Sequence, residues 1–137
     1  MKKLILFTAV IFITGIAFGQ ALPKGTLIGT HVITVTLNPG VTMDKYMEFV
    51  KTKLLPELDK NMQGWKVYLL KGIRGEETNN FGLLYVIKSE KERDKYYNPD
   101  GSDSDAGKAL NEKLKPISEE LAKLGTFTTK YTDWIIQ

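Results

Sequence analysis

Residues 27–42 read Leu-Ile-Gly-Thr-His-Val-Ile-Thr-Val-Thr-Leu-Asn-Pro-Gly-Val-Thr. The segment Leu27–Leu37 is rich in β-branched side chains and alternates with period two, which predicts a strand. One face of this strand carries Leu27, Gly29, His31, Ile33, Val35 and Leu37. The other face carries Ile28, Thr30, Val32, Thr34 and Thr36. Asn38-Pro39-Gly40 ends the strand, because proline lacks the amide that a β-ladder needs.

An amphipathic helix is predicted directly after this turn. Thr42 is the expected N-cap, and Asp44 lies in the first turn, where the helix dipole favours a carboxylate. Apolar side chains then recur at steps of three and four residues, at Met43, Tyr46, Met47, Val50, Leu54 and Leu58. Pro56 falls inside this stripe, so we expect it to kink or shorten the helix.

Three more strands are predicted. Trp65–Leu70 and Phe81–Ile87 form a hairpin, because the stretch 72–80 between them is rich in glycine and asparagine. Thr126–Ile136, near the end of the chain, is again rich in β-branched and aromatic residues.

A second helical region is predicted between the last two strands. Ser89 and Glu92 form a capping box that starts a short helix through Tyr97. A further apolar stripe at helical spacing follows at Leu110, Leu114, Ile117, Leu121 and Leu124. Gly125 then ends the helix.

The predicted order is therefore β-α-β-β-α-β, a ferredoxin-like α+β fold. It consists of a four-stranded antiparallel sheet with two helices on one face. The other face still carries Ile28 and Val32, so we expect a second copy of the chain to cover it as a homodimer. On the second strand this face presents either Lys66, Tyr68 and Leu70 or the set that begins at Trp65.

The N-terminus has the layout of a signal peptide. Met1-Lys2-Lys3 is basic, Leu4–Ala17 is an uncharged apolar run, and Ala17-Phe18-Gly19 offers small residues for cleavage. The run is shorter than the about 20 apolar residues of a membrane-spanning helix. We expect a signal peptide over 1–19 and a single domain over 20–137. The mature protein is then periplasmic or secreted and has no membrane anchor.

The composition excludes several classes of function. The 137-residue chain has no cysteine and one histidine, which excludes disulfides, thiol catalysis, thiolate metal centres and a His-rich metal site. Lys2 and Lys3 belong to the expected leader, so the other basic residues nearly balance the 16 acidic ones. We expect no nucleic-acid partner, no metal and no cofactor.

The loop Asp100–Asp105 contains three aspartates, at Asp100, Asp103 and Asp105. Carboxylates suit Ca²⁺, but the glycine and glutamate positions of an EF-hand loop are not filled. We expect a solvated loop in which Asp105 caps the helix that follows.

Several short motifs resemble, in order and spacing, those of the stress-responsive dimeric α/β barrel family. His31–Thr42 matches a first strand that begins with histidine and ends in a Pro-Gly-Val-Ser/Thr helix entry. Phe81–Ser89, then Tyr96–Pro99 and Lys115-Pro116, match later landmarks of the family. The resemblance spans about His31 to Trp134, and it implies a ferredoxin-like domain that dimerises as an α/β barrel.

A plant branch of that family contains polyketide cyclases, and it implies candidate catalytic residues. Those enzymes use the first-strand histidine, a helix tyrosine, and a second histidine after the helix-ending proline. His31 and Tyr96, or the adjacent Tyr97, occupy the first two positions. Asp100, Gly101 and Ser102 follow Pro99, so the second histidine is missing, and whether this protein is an enzyme stays open.

The expected ligand site combines strand alternation with the positions of the family. Alternation places His31 and Ile33 toward the helices, and the resemblance adds Phe49, Val50 and Tyr96 to the same cavity. Tyr85 and Tyr97 are the expected aromatic lining, with Trp65, Tyr131 and Trp134 as further aromatic candidates. The alternative is that His31 is a hydrogen-bonded residue at the edge of the core and that the aromatic residues fill the core.

Three functions remain open from the sequence. The first is an exported protein that binds a small apolar or aromatic molecule. The second is a cofactor-independent cyclase, isomerase or monooxygenase that acts on an aromatic or polyketide-like substrate. The third is a structural or stress-protective oligomer without a ligand.

Overall fold

The computed structural model describes residues 21–78 and 80–137, so the predicted signal peptide and its cleavage site lie outside the described residues. The strands are β1 (Leu27–Leu37), β2 (Trp65–Lys71), β3 (Phe81–Ile87) and β4 (Gly125–Ile135). They form one sheet in the order β2-β3-β1-β4, and every neighbouring pair is antiparallel. This is the ferredoxin-like topology, and the predicted α+β fold is confirmed.

The first helical segment has three parts: α1 (Met43–Phe49), a π-helical turn (Val50–Leu54) and α2 (Leu55–Asn61). The hydroxyl of Thr42 accepts from the Lys45 amide at 3.3 Å, which confirms the predicted N-cap.

Pro56 does not end this helical segment. The Leu55 amide donates to the carbonyl of Val50, five residues earlier, so a wide π-helical turn precedes the proline. Proline has no amide with which to continue the α-helical ladder, and wide turns are a known way to accommodate such an interruption. The expected disturbance is therefore present, but it takes the form of a π-helical turn inside a continuous segment.

The second helical region differs from the prediction at two points. The short helix α3 (Glu90–Arg93) ends at Arg93 and not at Tyr97, because the backbone of Tyr96 and Tyr97 pairs with the following loop. The long helix α4 (Asp105–Ala122) is capped by Ser104, whose hydroxyl accepts from the Gly107 amide, and not by Asp105. Asp105 instead occupies the first helical turn.

The core lies between the sheet and the helices. Its buried apolar side chains include Leu27, Met47, Val50, Leu58, Trp65, Leu83, Ile87, Leu110, Leu114 and Leu121. The helices cover β2, β3 and β1 more fully than β4, where Phe127 and Tyr131 remain exposed on the helix side. Within 21–78 and 80–137, no helix is long and apolar enough to cross a bilayer.

Burial and strand register identify the residues on the face of the sheet opposite the helices, here called the open face. On β2, Trp65 and Val67 are buried toward the helices, so Lys66, Tyr68 and Leu70 belong to the open face. The registers add further apolar side chains to the same surface, at Ile28, Val32, Leu84, Val86 and Trp134. The helices of the described chain do not pack on this surface.

Candidate functional site

A cavity of about 190 Å³, here called the interior cavity, lies between the sheet and the helical segments. Most of its wall is apolar and comes from β1, β3, the first helical segment and α4: Ile33, Val35, Met47, Val50, Leu54, Leu58, Phe81, Leu83 and Leu121. Phe127 of β4 also lines it and is half exposed, so the cavity reaches the surface at this residue. Protein interiors contain few voids larger than a water molecule, so a space of this size is a candidate ligand site.

The polar side chains of the interior cavity are His31, Tyr46, Tyr85 and Thr129. Burial lowers the pKa of His31 below 6.5, and the negative charge of Asp133 opposes this shift only in part. The imidazole is therefore neutral at pH 7. Burial raises the pKa of Tyr85 to about 12, so this phenol is protonated and can donate a hydrogen bond.

A second space, here called the aromatic cleft, lies beside the interior cavity and has a volume of about 360 Å³. The rings that line it are His31, Trp65, Tyr85, Tyr97 and Tyr131. The His31 and Tyr131 rings are stacked at 5.2 Å between centroids, and the His31 and Tyr85 centroids are 4.6 Å apart. Trp65 contacts Tyr85 edge-on at 5.8 Å, so neighbouring rings form a continuous wall.

The cleft also has charged walls. The Arg93 guanidinium donates from Nε and Nη2 to Asp94 Oδ1, at 3.0 and 2.8 Å, and from Nη1 to Asp133 Oδ2 at 3.3 Å. These partners, Asp94 first, raise the pKa of Arg93. The pair between Arg93 and Asp133 joins the end of α3 to β4 across the cleft.

The two spaces share His31, Tyr85 and Thr129 as lining residues. The structure thus brings four of the seven proposed site residues, His31, Ile33, Val50 and Tyr85, to the interior cavity. Tyr97 lies in the aromatic cleft instead, together with His31 and Tyr85.

Phe49 and Tyr96 line neither space, in contrast to the expectation. Phe49 directly precedes Val50 on the helical segment, so its side chain points about 100° away from the one that faces the cavity. Tyr96 packs edge-on against Trp65 at 5.8 Å, and its hydroxyl donates to the carbonyl of Asn61. The early end of α3 turns Tyr96 toward α2 and leaves Tyr97 facing the cleft.

Sequence reasoning did not identify Arg93, Asp133 or Tyr46 as site residues. Arg93 belongs to a run of alternating charges that is typical of a solvated helix face. The position of Asp133 follows from the strand register, in which it pairs with Gly29 of β1. Alternation along β4 places Asp133 on the same face as Tyr131, but which face that is depends on the pairing with β1.

The Asp100–Asp105 loop contains no candidate metal site. No group of three or more acidic or histidine side chains within the described ranges is placed to hold a metal ion. Asp100 accepts from the amide and the hydroxyl of Ser102 instead, and these bonds lower its pKa.

Comparison with known proteins gives similarity of fold only. No protein-family model and no curated protein matches the chain. A dimeric protein of unknown function and ferredoxin-like fold from Bacteroides fragilis NCTC 9343 is 12% identical, with a TM-score of 0.46 over 82% of this chain and 98% of that one. A conserved protein from Methanosarcina mazei Go1 is 17% identical, with a TM-score of 0.44 over 82% of this chain and 95% of that one.

Proposed function

We propose that this protein binds a small apolar molecule in the interior cavity, as an exported homodimer of the stress-responsive dimeric α/β barrel type. The observation that carries the proposal is the cavity itself, about 190 Å³ of space within an apolar core. A void of roughly 150 Å³ with apolar walls is large enough to hold a benzene ring. The ligand is therefore of the size of a one- or two-ring hydrocarbon or a short alkyl chain.

The polar groups of the cavity define the ligand further. The imidazole of His31 is neutral and the phenol of Tyr85 is protonated, so neither brings a formal charge to the wall. An otherwise apolar ligand with one polar atom suits such a wall, as in most small-molecule sites. A charged group inside the cavity is disfavoured, because its transfer from water into an apolar space is costly.

Native mass spectrometry of protein from its own host tests this proposal. We expect a retained small molecule that is lost from the variant Val50→Phe, in which the larger side chain fills part of the cavity. Val41→Phe is the matched control, because Val41 does not line the cavity, and it should retain the ligand. If folded protein from its own host releases no small molecule, the proposal is contradicted.

Assembly through the open face is the second part of the proposal. Tyr68, Leu70 and Trp134 are exposed there, beside the apolar side chains of β1 and β3. Burial of apolar surface contributes about 25 cal/mol per Å², and a stable interface needs roughly 800 Å² from each partner. A two-fold axis lets one self-complementary face serve both copies, with the threonines of β1 and β4 able to hydrogen-bond between them.

Export is the third part, and it rests on the sequence of the first residues. The basic start at Lys2 and Lys3, the apolar run Leu4–Ala17 and the small residues before Gln20 have the order that a signal peptidase recognises. Absence of cysteine makes the chain independent of the redox state of the compartment.

A further inference from the structure

A gap in the floor of the aromatic cleft lies above Gly29 on β1. Oδ1 of Asp133 and Nε2 of His31 lie 3.1 and 3.6 Å from the point that a Cβ of residue 29 would occupy. A side chain at this position would crowd the Asp133 carboxylate. Glycine therefore keeps open the space between a carboxylate oxygen and an imidazole nitrogen.

Both of these atoms are available as hydrogen-bond acceptors. Nδ1 of His31 faces the hydroxyl of Thr129 at 3.5 Å, and when it donates there, Nε2 carries the lone pair. Asp133 contacts Arg93 through Oδ2, which leaves Oδ1 for the cleft. Among the described residues, neither Nε2 of His31 nor Oδ1 of Asp133 has a hydrogen-bond partner.

The charge around the gap is negative. Arg93 is the cation of the cleft wall, and its guanidinium is already shared between Asp94 and Asp133. Asp100 is a further carboxylate of the wall, and the described lining contains no lysine. The lining therefore carries two carboxylates against one guanidinium, and a group that enters between His31 and Asp133 meets two acceptor atoms.

The walls next to the gap are aromatic. Tyr131 is 63% exposed and Tyr97 is 37% exposed, so both present ring surface to the cleft. Aromatic rings stack on such surfaces, and ring faces also attract cations. The cleft thus combines an aromatic wall with a recess between two acceptor atoms, Nε2 of His31 and Oδ1 of Asp133.

We propose that the aromatic cleft binds a protonated arylalkylamine, with its ammonium group between Nε2 of His31 and Oδ1 of Asp133 and its ring against Tyr97 and Tyr131. An ammonium group has three donors and no acceptor, which matches the recess. This site goes beyond the interior cavity and has its own ligand.

Calorimetric titration of the purified protein near pH 7 with three probes of similar shape tests the site. The probes are 2-phenylethylamine, which is a cation, 2-phenylethanol, which is neutral, and phenylacetate, which is an anion. We expect the amine to bind at least about tenfold more tightly than the other two, the ratio that a charge-assisted hydrogen bond provides. Binding of phenylacetate as tightly as the amine would show that Arg93 is the anchor and would overturn the proposal.

The two aspartates that pair with Arg93 provide a matched pair of variants. Asp133→Asn keeps the shape of the recess and removes its charge, so the preference for the amine over the alcohol should fall below about threefold. Asp94→Asn removes the other partner of Arg93, and Asp94 does not line the cleft, so the tenfold preference should persist. Equal losses in the two variants contradict the placement of the ammonium.

Gly29→Ala is a second test of the same recess. The added Cβ lies 3.1 Å from Asp133 Oδ1, so amine binding should weaken about tenfold or more. Toluene is the control ligand, because it has no ammonium group and is expected in the interior cavity, so it should bind this variant as it binds the parent protein. If none of the three cleft probes binds while toluene does, the cleft proposal fails and the interior cavity stands. If the amine binds as predicted and toluene does not bind, the proposal for the interior cavity fails and the cleft proposal stands.

Discussion

The imidazole of His31 and the phenol of Tyr85 lie 4.6 Å apart between ring centroids, and both line the interior cavity and the aromatic cleft. β1 and β3 are adjacent strands, and both residues lie on the helix side. These two rings, together with Thr129, line both proposed sites. The chain's single histidine therefore belongs to both of them.

The first prediction concerns the pKa of His31, which NMR can follow through one Cε1 proton because the chain has no second histidine. Burial places the midpoint below 6.5, and the charge of Asp133 raises it in part. Asp133→Asn should therefore lower the midpoint further, whereas Asp94→Asn should move it less. A parent midpoint at or above 6.5 contradicts this description of the site.

The same shift predicts how stability depends on pH. The folded state binds the proton of His31 at a lower pH than the unfolded state does, so between the two pKa values the unfolded state holds more protons. The free energy of unfolding contributed by this group therefore falls as the pH drops below about 6.5. Urea unfolding of the parent and of His31→Gln at several pH values measures this. In the variant, the free energy of unfolding should lose the part of its pH dependence that His31 contributes.

The second prediction concerns the open face. Val32 lies near the middle of β1, and Val32→Lys places a charge in the proposed interface, so the dimer should dissociate to monomers at micromolar concentration. Ile73→Lys introduces the same charge in the hairpin loop, where Ile73 is 80% exposed, and should leave the dimer intact. Light scattering measures the mass, and a parent protein that is already monomeric at this concentration disproves the assembly.

The third prediction concerns the core. Leu114 of α4 is buried in the cluster that contains Trp65 and Ile87 and lines neither cavity. Leu114→Ala should lower the free energy of unfolding by about 2–5 kcal/mol through lost burial and the void left behind. The exposed control Ile73→Ala should change it by less than about 0.5 kcal/mol. Chemical denaturation compares the two, and equal effects would contradict the packing of α4.

The fourth prediction concerns the N-terminus. Protein recovered from the exported fraction of its host should begin at Gln20, because the small residues Ala17 and Gly19 precede that bond. Intact-mass analysis reads this directly. Exported material that retains Met1 to Gly19 contradicts cleavage at this site.

The fold was accessible from the sequence because its signals are local. The period-two pattern of Leu27–Leu37 and the capping residues Thr42 and Ser89 predicted elements that the structure contains. The π-helical turn before Pro56 was not predictable in form, since a missing amide can be accommodated by a kink, a break or a wide turn. The end of α3 at Arg93 depends on a backbone pairing with a loop that lies outside the helix pattern.

The candidate site was accessible only in part, because it depends on register and side-chain direction. Alternation along β1 was sufficient to place His31 and Ile33 beside the helices. The position of Asp133 opposite Gly29 follows from the pairing of β1 with β4, which no local pattern determines. Tyr97 lines the cleft in place of Tyr96 because α3 ends at Arg93, earlier than the sequence predicted.

Titration with toluene, followed by amide NMR, tests whether the interior cavity holds a small apolar ligand. We expect saturable shifts confined to residues around the cavity, such as Val50, Leu83 and Leu121, in the parent and in Val41→Phe. The same shifts should be lost in Val50→Phe, in which the added ring occupies the space. Absence of saturable shifts in the parent protein, or equal binding by Val50→Phe, would contradict the proposal.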